Sequence, residues 1–462
     1  MNAKGNTLVG KLFGNTFYFK LLWTILVLLK INPLVSSKTS LLFQSLVVYG
    51  GLILMYDLFV NKKLFNINKK IFSNPYILLL FLFVFFMAMS IVANYDKGFI
   101  SNAKILIITI IQFCVISIMD LDRPLEKIRD ELKIINGIII GGVTIAAIIS
   151  LYLFFNDING YYIINSNDTS LDDTVYYYGM AYGNRLVGIF SNPNVTGATC
   201  GIALYSALIN ISLFRNRFVL NLIYTICMIF NFLCIILSAS RGTLLSLCVS
   251  LFFLIFIITL IKNKKKSHIV TKIVVSILIS TICVVLVFSL SDMIDRQLRK
   301  IPLLIKGTSR VDIDSHLDEI SRLFPDIDED DNLNKISSGR LRIWKIGLRT
   351  VRQNLIFGVG KAELYNEMVK NWDKNSTPFG VEKGGLHNIY LETLVAFGLI
   401  SFICFMVFLT ILFYNHFKNM LKIGFRSGNS IWFLFGLAVL TMLVYIAENN
   451  MVESKMFYQV RL

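Results

Sequence analysis

Apolar runs long enough to cross a membrane recur along the whole chain and are separated by short polar segments. A helix rises about 1.5 Å per residue, so a run of about 20 residues matches a hydrocarbon core of roughly 30 Å. The pattern predicts eleven spans, with ten or twelve as alternatives because Lys20 interrupts the first run and the chain continues past residue 448. The eleven predicted spans cover about residues 15–32, 40–59, 76–94, 104–119, 134–155, 190–214, 218–238, 242–261, 269–290, 388–414 and 430–447.

The composition favours a helical membrane protein over a soluble one. Of 462 residues, 55% are hydrophobic and only 16% are charged, and the mean hydropathy is +0.66. The pattern lacks the short alternating strands of a membrane β-barrel. All seven cysteines lie inside apolar runs without CxxC spacing, so we interpret them as packing residues rather than disulfide or metal ligands. The predicted fold is an all-α polytopic bundle.

The net charge of +16 is distributed unevenly between the two sets of loops. In a soluble protein such an excess would suggest nucleic acid as a partner. Here alternate short loops hold Lys62, Lys63, Lys69, Lys70, Arg123, Lys127, Arg129, Lys133, Arg215, Arg217, Lys262, Lys264, Lys265, Lys266, Lys418, Lys422 and Arg426. The positive-inside rule therefore places these loops and the N-terminus in the cytoplasm, and no nucleic-acid partner is predicted.

The opposite connections are predicted to be extracytoplasmic, and only one is large enough to form a small domain. We therefore divide the chain into a first part of the transmembrane bundle (1–290, spans 1 to 9), an extracytoplasmic loop domain (291–387) and a last part of the bundle (388–462). The acidic patch FPDIDEDDN in the loop domain lacks the glycine and spacing of a calcium loop, which favours a solvated turn.

Two arginines stand out in shorter stretches of this side. Arg185 precedes SNPNVTG, in which Pro193 and neighbours such as Asn194 predict a broken or re-entrant helix start. Arg185 itself is either part of a site or an anchor at the membrane interface. Arg241 lies alone in the turn LSASRGTLLS and requires a compensating anion, which is either a bound ligand or a lipid headgroup phosphate.

A third arginine lies in SSGRLRIWKIGLRTVRQNLIFGVG, which predicts an amphipathic helix. At 100° per residue, a basic quartet falls within about 80° and is expected to face lipid headgroups. The quartet is Arg342, Lys345, Arg349 and Arg352. Arg340 falls on the other side with Leu348, so we expect it to point into the protein, where it requires an anionic partner. No strand precedes GVG, which excludes a dinucleotide site.

The stretch GGLHNIYLETLVAFGLISF, residues 384–402, places polar residues at the mouth of an apolar span. Of the four histidines, only His387 is placed like an active-site base. His387 with Tyr390, and Asn388 with Glu392, are helical neighbours and predict a polar strip along the helix. Because no Cys, Asp or second His lies at ligand spacing, we expect neither a metal nor another cofactor.

Taken together, SNPNVTG, SASRG, SGRLRIW with NLIFGVG, and LHNIYLETLVAFGLIS resemble motifs of the O-antigen ligases and Wzy-type polysaccharide polymerases over roughly residues 185–410. The resemblance implies a GT-C type glycosyltransferase fold. It also implies transfer of a glycan from an undecaprenyl diphosphate carrier at the outer face of the cytoplasmic membrane, without sugar nucleotide or metal. Carried over by motif, Arg241 and Arg340 would hold the diphosphate, Arg185 is a looser match, and His387 would be the acceptor base.

Three functions remain open at this point. The favoured one is a capsule or O-antigen polymerase, because the Ile, Asn and Lys richness suggests an AT-rich genome of a cell without lipopolysaccharide. A ligase that transfers finished glycan to a lipid or other surface acceptor has the same motifs. A flippase for the same lipid-linked sugars is less favoured, because the polar residues gather at one face and no pseudo-repeat is evident. Candidate partners are the lipid-linked donor and acceptor, membrane lipids, a chain-length regulator and a flippase.

Overall fold

Helices dominate the computed structural model, which describes residues 8–61, 74–120, 123–164, 174–181, 185–262, 269–302, 340–372, 385–426 and 430–452. The helices are α1 (Leu8–Phe13), α2 (Phe17–Lys30), α3 (Pro33–Ser36), α4 (Ser40–Tyr56), α5 (Pro75–Ala93), α6 (Phe99–Gln112), α7 (Leu125–Phe155), α8 (Pro193–Leu213), α9 (Phe218–Leu237), α10 (Arg241–Lys262), α11 (Ile269–Leu298), α12 (Arg340–Gln353), α13 (Leu364–Lys370), α14 (Ile389–Arg426) and α15 (Ile431–Val452). One-turn π-helices, Asp57–Asn61 and Phe113–Ser117, extend α4 and α6.

Ten helices within the described ranges, α4 to α11, α14 and α15, are long and apolar enough to cross a membrane. They confirm the prediction of an all-α polytopic membrane protein. The predicted first span is not among them, because α2 has 14 residues and is about 21 Å long at 1.5 Å per residue. Lys20 within α2 forms an ion pair with Asp120, just beyond α6, so the charge that interrupts this run is neutralised inside the bundle.

Several helices begin at an Asn-Pro pair. Asn74 and Asn192 each accept a hydrogen bond from the first turn, at 3.0 Å from Tyr76 N and 3.0 Å from Val195 N respectively. Proline suits the position after the cap, because its missing N–H has no helical partner there. The structure therefore shows an ordinary capped start of α8 at Pro193 rather than the predicted broken or re-entrant one.

The described termini of the spanning helices lie at two ends of the bundle. At the first, which we call the basic end, the Arg129 guanidinium lies over the Trp432 ring, so the starts of α7 and α15 are neighbours. At the second, which we call the site end, Arg185 donates to the carbonyl of Ser238. The grouping agrees with the alternation of basic and non-basic loops, while the direction of the two ends in the cell stays a prediction.

A small sheet, which the sequence did not predict, covers part of the site end. Strands β1 (Gly160–Ile164), β2 (Thr174–Ala181) and β3 (Arg185–Gly188) are antiparallel in the order β1-β2-β3. Just after β3, the backbone N–H of Ile189 donates to the hydroxyl of Ser150 in α7, at 3.1 Å. This bond seats β3, and with it Arg185, against the bundle.

The most deeply buried span is α8, of which 61% of an 18-residue window lies inside the protein. Small residues let its neighbours approach closely, as is usual where helices pack in a membrane. The Tyr445 ring of α15 lies directly on Gly201, and its hydroxyl donates to the Ala198 carbonyl at 3.2 Å. The buried Tyr205 packs on the same ring, with centroids 5.2 Å apart. This core joins α8 to α15.

The α14 helix is broken at Gly398, whose φ of 82° and ψ of 176° are not helical. The chain segment 355–360 lies in the break and replaces the lost helical partners. The N–H groups of Val359 and Gly360 donate to the carbonyls of Val395 and Ala396, each at 3.0 Å. In return, the N–H of Leu399 donates to the carbonyl of residue 355 at 2.8 Å. Three backbone groups of α14 at the break are thus bonded to segment 355–360.

Helices α5 and α6 hold the same segment from the other side. Asn94, which follows α5, donates to the Gly358 carbonyl at 3.1 Å, and Asn102 accepts from the N–H of Ala362 at 2.8 Å. Further along, Lys97 and Lys370 pair with Glu367 at 3.4 and 2.8 Å. The hydrogen bond from Lys370, with the charge of Lys97 adding to it, lowers the pKa of Glu367.

The bounds of the predicted loop domain, 291–387, stay a prediction. In the described part of this segment, α12 packs against α14. Residues 355–360 are bonded to α14 and to Asn94 after α5, Ala362 is bonded to α6, and Glu367 of α13 pairs with Lys97 before α6. Residues 303–339, with the acidic patch, and residues 373–384, with Gly384, lie outside the described residues. Helix α11 continues to Leu298, beyond the predicted end of its span at 290.

The break predicts a strict requirement for glycine at position 398. A Cβ added at Gly398 would collide with the Ile356 carbonyl, in a backbone region that side chains avoid, and that region alone costs about 1–3 kcal/mol. We expect Gly398→Ala to lower the free energy of unfolding by about 3 kcal/mol or more. Thermal unfolding of the purified protein in detergent measures this.

The matched control is Gly137→Ala in α7, where the added methyl group meets open space. Because alanine is the better helix former by up to about 1 kcal/mol, this variant should be as stable as the wild type or slightly more stable. Equal stability of both variants and the wild type would contradict the account of the break.

Candidate functional site

The turn between α9 and α10 carries Arg241. Helix α9 ends at Leu237 and α10 begins at Arg241. Ala239, between them, has a φ of 46°, a left-handed conformation that is uncommon for a residue with a side chain. The side chain of Arg241 is exposed at the first residue of α10. The predicted short turn that contains Arg241 is therefore present.

Two other arginines hold this turn. Arg185 donates from Nε to the Ser238 carbonyl at 3.1 Å and from Nη2 to Oδ1 of Asn194 at 2.8 Å. Arg299, fixed by Asp295 at 2.8 Å, donates to the Leu237 carbonyl at 3.3 Å. The last carbonyls of a helix carry partial negative charge, which cations stabilise. Arg185 and Asn194 are thus in direct contact, and at least part of the Arg185 guanidinium caps α9.

His387 lies in a tight turn that leads into α14. Gly385 and His387 have φ values of 69° and 49°. The indole N–H of Trp344 in α12 donates to the Leu386 carbonyl at 2.9 Å, and the buried Leu386 side chain packs on Gly347. Left-handed residues with a Cβ persist only where the surroundings fix them, so α12 determines the position of His387.

Asn388 and Tyr390 have roles other than the predicted polar strip. Asn388 accepts from the N–H of Leu391 at 3.0 Å, so it caps α14, which begins at Ile389. His387 therefore lies before the helix, and its predicted helical spacing to Tyr390 is wrong. The Tyr390 hydroxyl donates to the Ala447 carbonyl of α15 at 3.1 Å. The spacing prediction failed because Asn388 is the cap residue, and a cap residue has an extended or turn conformation that ends the helical phase.

Glu392 forms a buried ion pair that the sequence analysis missed. Its side chain is only 1% exposed and pairs with Lys361, which follows the Gly358–Gly360 turn. The other carboxylate oxygen lies close beneath the turn of His387, since a Cβ at Gly385 would be 2.8 Å from it. Only glycine fits this approach at position 385, where φ is 69°. Lys361 is 31 residues away, so no local spacing could reveal the pair.

The Arg340 helix presents two different faces. Ile343, Ile346 and Gly347 are buried, while Lys345 and Arg352, from the opposite side, are exposed. Arg340 is half-buried at the first residue of α12, as expected for the inward side. Leu348 is 47% exposed, so its predicted inward position is wrong. It lies at the edge of the buried face, about 80° from Arg340 on the helical wheel.

The elements that carry Arg241, Arg340 and His387 meet around the end of α15. Tyr390, three residues after His387, contacts Ala447. Asn449 donates to the hydroxyl of Thr243, two residues after Arg241, at 3.5 Å. Trp344, one helical turn after Arg340, is bonded to the residue before His387. Arg241, Arg340 and His387 thus lie on three helix starts or turns at the site end. Within the described ranges, no cluster of three His, Cys, Asp or Glu residues could hold a metal ion.

Comparison with known proteins supports the resemblance inferred from the motifs. Residues 226–406 match the family model described as O-antigen ligase. The matched stretch contains Arg241, Arg340 and His387 with the residues around them, whereas Arg185 and Asn194 precede it. No curated protein matches the chain.

The buried ion pair predicts a measurable loss of stability when one partner is removed. Lys361→Met leaves the Glu392 carboxylate buried without its cation, which we expect to cost about 3–5 kcal/mol. The double variant Lys361→Met with Glu392→Gln should recover most of this loss, because no charge remains buried. Thermal unfolding in detergent measures both.

Lys370→Met is the matched control, since Lys370 is 68% exposed in its pair with Glu367, and exposed pairs contribute little. Two results would contradict a stabilising role of the Lys361–Glu392 pair. One is a Lys361→Met variant as stable as Lys370→Met, and the other is a double variant no more stable than Lys361→Met alone.

Proposed function

We infer that this chain, a multi-pass membrane protein with an O-antigen ligase domain at residues 226–406, is a glycosyltransferase that uses a lipid-linked glycan. We propose undecaprenyl diphosphate as the carrier and the outer face of the cytoplasmic membrane as the place of reaction. The observation that carries the proposal is the meeting of the Arg241 turn, the Arg340 helix and the His387 turn at one end of the bundle, all within the matched stretch.

Arg241 and Arg340 are proposed to bind the diphosphate. A guanidinium donates two parallel hydrogen bonds to phosphate oxygens and stays charged at any physiological pH. Arg241 is exposed at the first residue of a helix, where its charge opposes the helix dipole and an anion would be stabilised. As the glycosyl bond breaks, negative charge develops on the diphosphate, and fixed cations at that position lower the barrier.

Arg185 and Asn194 are proposed to position the Arg241 turn. The sequence resemblance suggested a direct phosphate contact for Arg185. Two of its donors are directed to the Ser238 carbonyl and to Asn194 instead. We therefore assign Arg185 to holding the turn in which Arg241 lies, and Asn194 to orienting Arg185.

His387 is proposed as the general base. A hydroxyl oxygen of the acceptor sugar attacks the anomeric carbon, the bond from that carbon to the diphosphate oxygen breaks, and the diphosphate leaves with the bonding electrons. The hydroxyl proton passes to His387. A single displacement of this kind inverts the anomeric centre. The fixed left-handed conformation of His387 supports the assignment, because such residues concentrate at functional sites.

Polymerase and ligase are the two forms of this activity that we consider. In the polymerase, the acceptor is the sugar end of a lipid-linked repeat unit, and the Ile, Asn and Lys richness of the chain favours it. In the ligase, the acceptor is a lipid or another surface molecule, and the description of the matched family favours it. A chain-length regulator and a flippase stay candidate partners of the polymerase.

Substitutions of the three central residues test the mechanism. We expect His387→Ala to lower the turnover rate about a hundred- to ten-thousand-fold, as for loss of a general base. Arg340→Ala and Arg241→Lys should each remove most activity, the latter because an ammonium cannot reproduce the guanidinium fork. The assay is glycan lengthening by the purified protein with lipid-linked repeat units, analysed on gels.

Arg217→Lys is the matched control, because Arg217 is exposed before α9 at the basic end. It should keep wild-type activity. Full activity of the Arg340 and His387 variants would contradict the proposed roles, and folding of each variant is checked by its thermal unfolding.

Deletion of the gene distinguishes a polymerase from a ligase. Loss of a polymerase should leave single repeat units on the cell surface, because no step lengthens them. Loss of a ligase should leave long chains that are not attached to their acceptor. The glycan ladder of the deletion strain measures this, and an unchanged ladder would contradict both.

A further inference from the structure

Helix α12 carries a basic face opposite its buried face. Lys345, Arg349 and Arg352 are exposed, and half-buried Arg342 lies over the Trp372 ring at 5.6 Å from its centroid. On the helical wheel these four residues, the basic quartet, cover about 80°. A narrow face that carries four cations attracts an anionic surface.

An apolar edge runs beside the quartet. Leu341 and Leu348 are 40% and 47% exposed and lie next to the cations on the wheel. Beyond α12, the apolar tip Leu355–Phe357 continues this edge with Ile356, which is 55% exposed. Helices at a membrane interface combine such an apolar edge with a cationic face.

The apolar tip lies beside the end of spanning helix α5. Ser90, three residues before the end of spanning helix α5, donates to the Phe357 carbonyl. Asn94, just beyond α5, donates to the next carbonyl, that of Gly358. The exposed side chains of the tip therefore lie beside the end of a spanning helix, and α12 leads directly into the tip.

We propose that α12 and the apolar tip form an interfacial anchor whose basic quartet binds the phosphates of anionic phospholipids in the adjacent leaflet. The apolar edge rests on the acyl boundary, which brings the cations to the height of the headgroups. Each cation near an anionic surface strengthens the association about fivefold. Phospholipid is the partner favoured over an acidic glycan, because a glycan gives no reason for the apolar edge.

The anchor is connected to the His387 turn. Trp344 of α12 donates to the Leu386 carbonyl, next to His387. Bound lipid would thus fix the helix that holds the His387 turn. Lipid binding itself does not depend on the proposed function, whereas any effect on glycan transfer does.

Hydrogen exchange of residues 340–357 tests the proposal in the full-length protein. The protein is reconstituted in vesicles of phosphatidylcholine with a rising fraction of phosphatidylglycerol. We expect exchange of α12 to slow as phosphatidylglycerol increases, and high salt to reverse the effect because it screens charge. The variant with Arg342, Lys345, Arg349 and Arg352 all replaced by Gln should lose this dependence.

Two further variants separate the charge effect from damage to the fold. Arg342→Lys with Arg349→Lys and Arg352→Lys keeps all four charges and should keep the response. Lys418→Gln with Lys422→Gln and Arg426→Gln removes exposed cations of the basic end and should also keep it. If hydrogen exchange of α12 in the wild type did not change with the phosphatidylglycerol fraction, the proposal would be overturned. The proposal would also be overturned if an anionic oligosaccharide slowed the exchange of α12 in phosphatidylcholine vesicles while phosphatidylglycerol did not. That result would assign the basic quartet to glycan binding.

Discussion

The break of α14 at Gly398 is the constraint on which the site end depends. A helix that loses internal hydrogen bonds where it is buried in the protein must find other partners for them. Here the partners come from segment 355–360, whose own glycines allow backbone to lie against backbone. The segment is thereby fixed in depth and orientation. Lys361 follows it directly and is brought to the buried Glu392 beneath the His387 turn.

A second constraint fixes the opposite side of the site. The α9 helix ends with carbonyls that two arginines from different parts of the chain satisfy, Arg185 from β3 and Arg299 from the segment after α11. Their bonds hold the Arg241 turn between them. Four arginines of this end therefore have distinct tasks. Arg185 and Arg299 bind backbone carbonyls, and we propose that Arg241 and Arg340 bind the substrate diphosphate.

The sequence predicted the spans well, because the length of an apolar run is a local property. It also placed Arg241 in a short turn and found Arg340 at the buried side of its helix, since helical phase is local as well. It missed features that depend on distant partners. The Lys361–Glu392 pair joins two segments, and the non-helical conformation of Gly398 is hidden in a continuous apolar run. The error at Tyr390 came from extending the helix by two residues through its Asn388 cap.

Arg241, Arg340 and His387 are proposed to form one substrate site. The most direct measurement is an experimental structure of the full chain with a polyprenyl diphosphate-linked saccharide bound in nanodiscs. The account predicts that the diphosphate lies within hydrogen-bond distance of the Arg241 and Arg340 guanidinium groups, with the sugar residues extending toward His387. A diphosphate bound away from both arginines, or saccharide density on the side remote from the His387 turn, would contradict it.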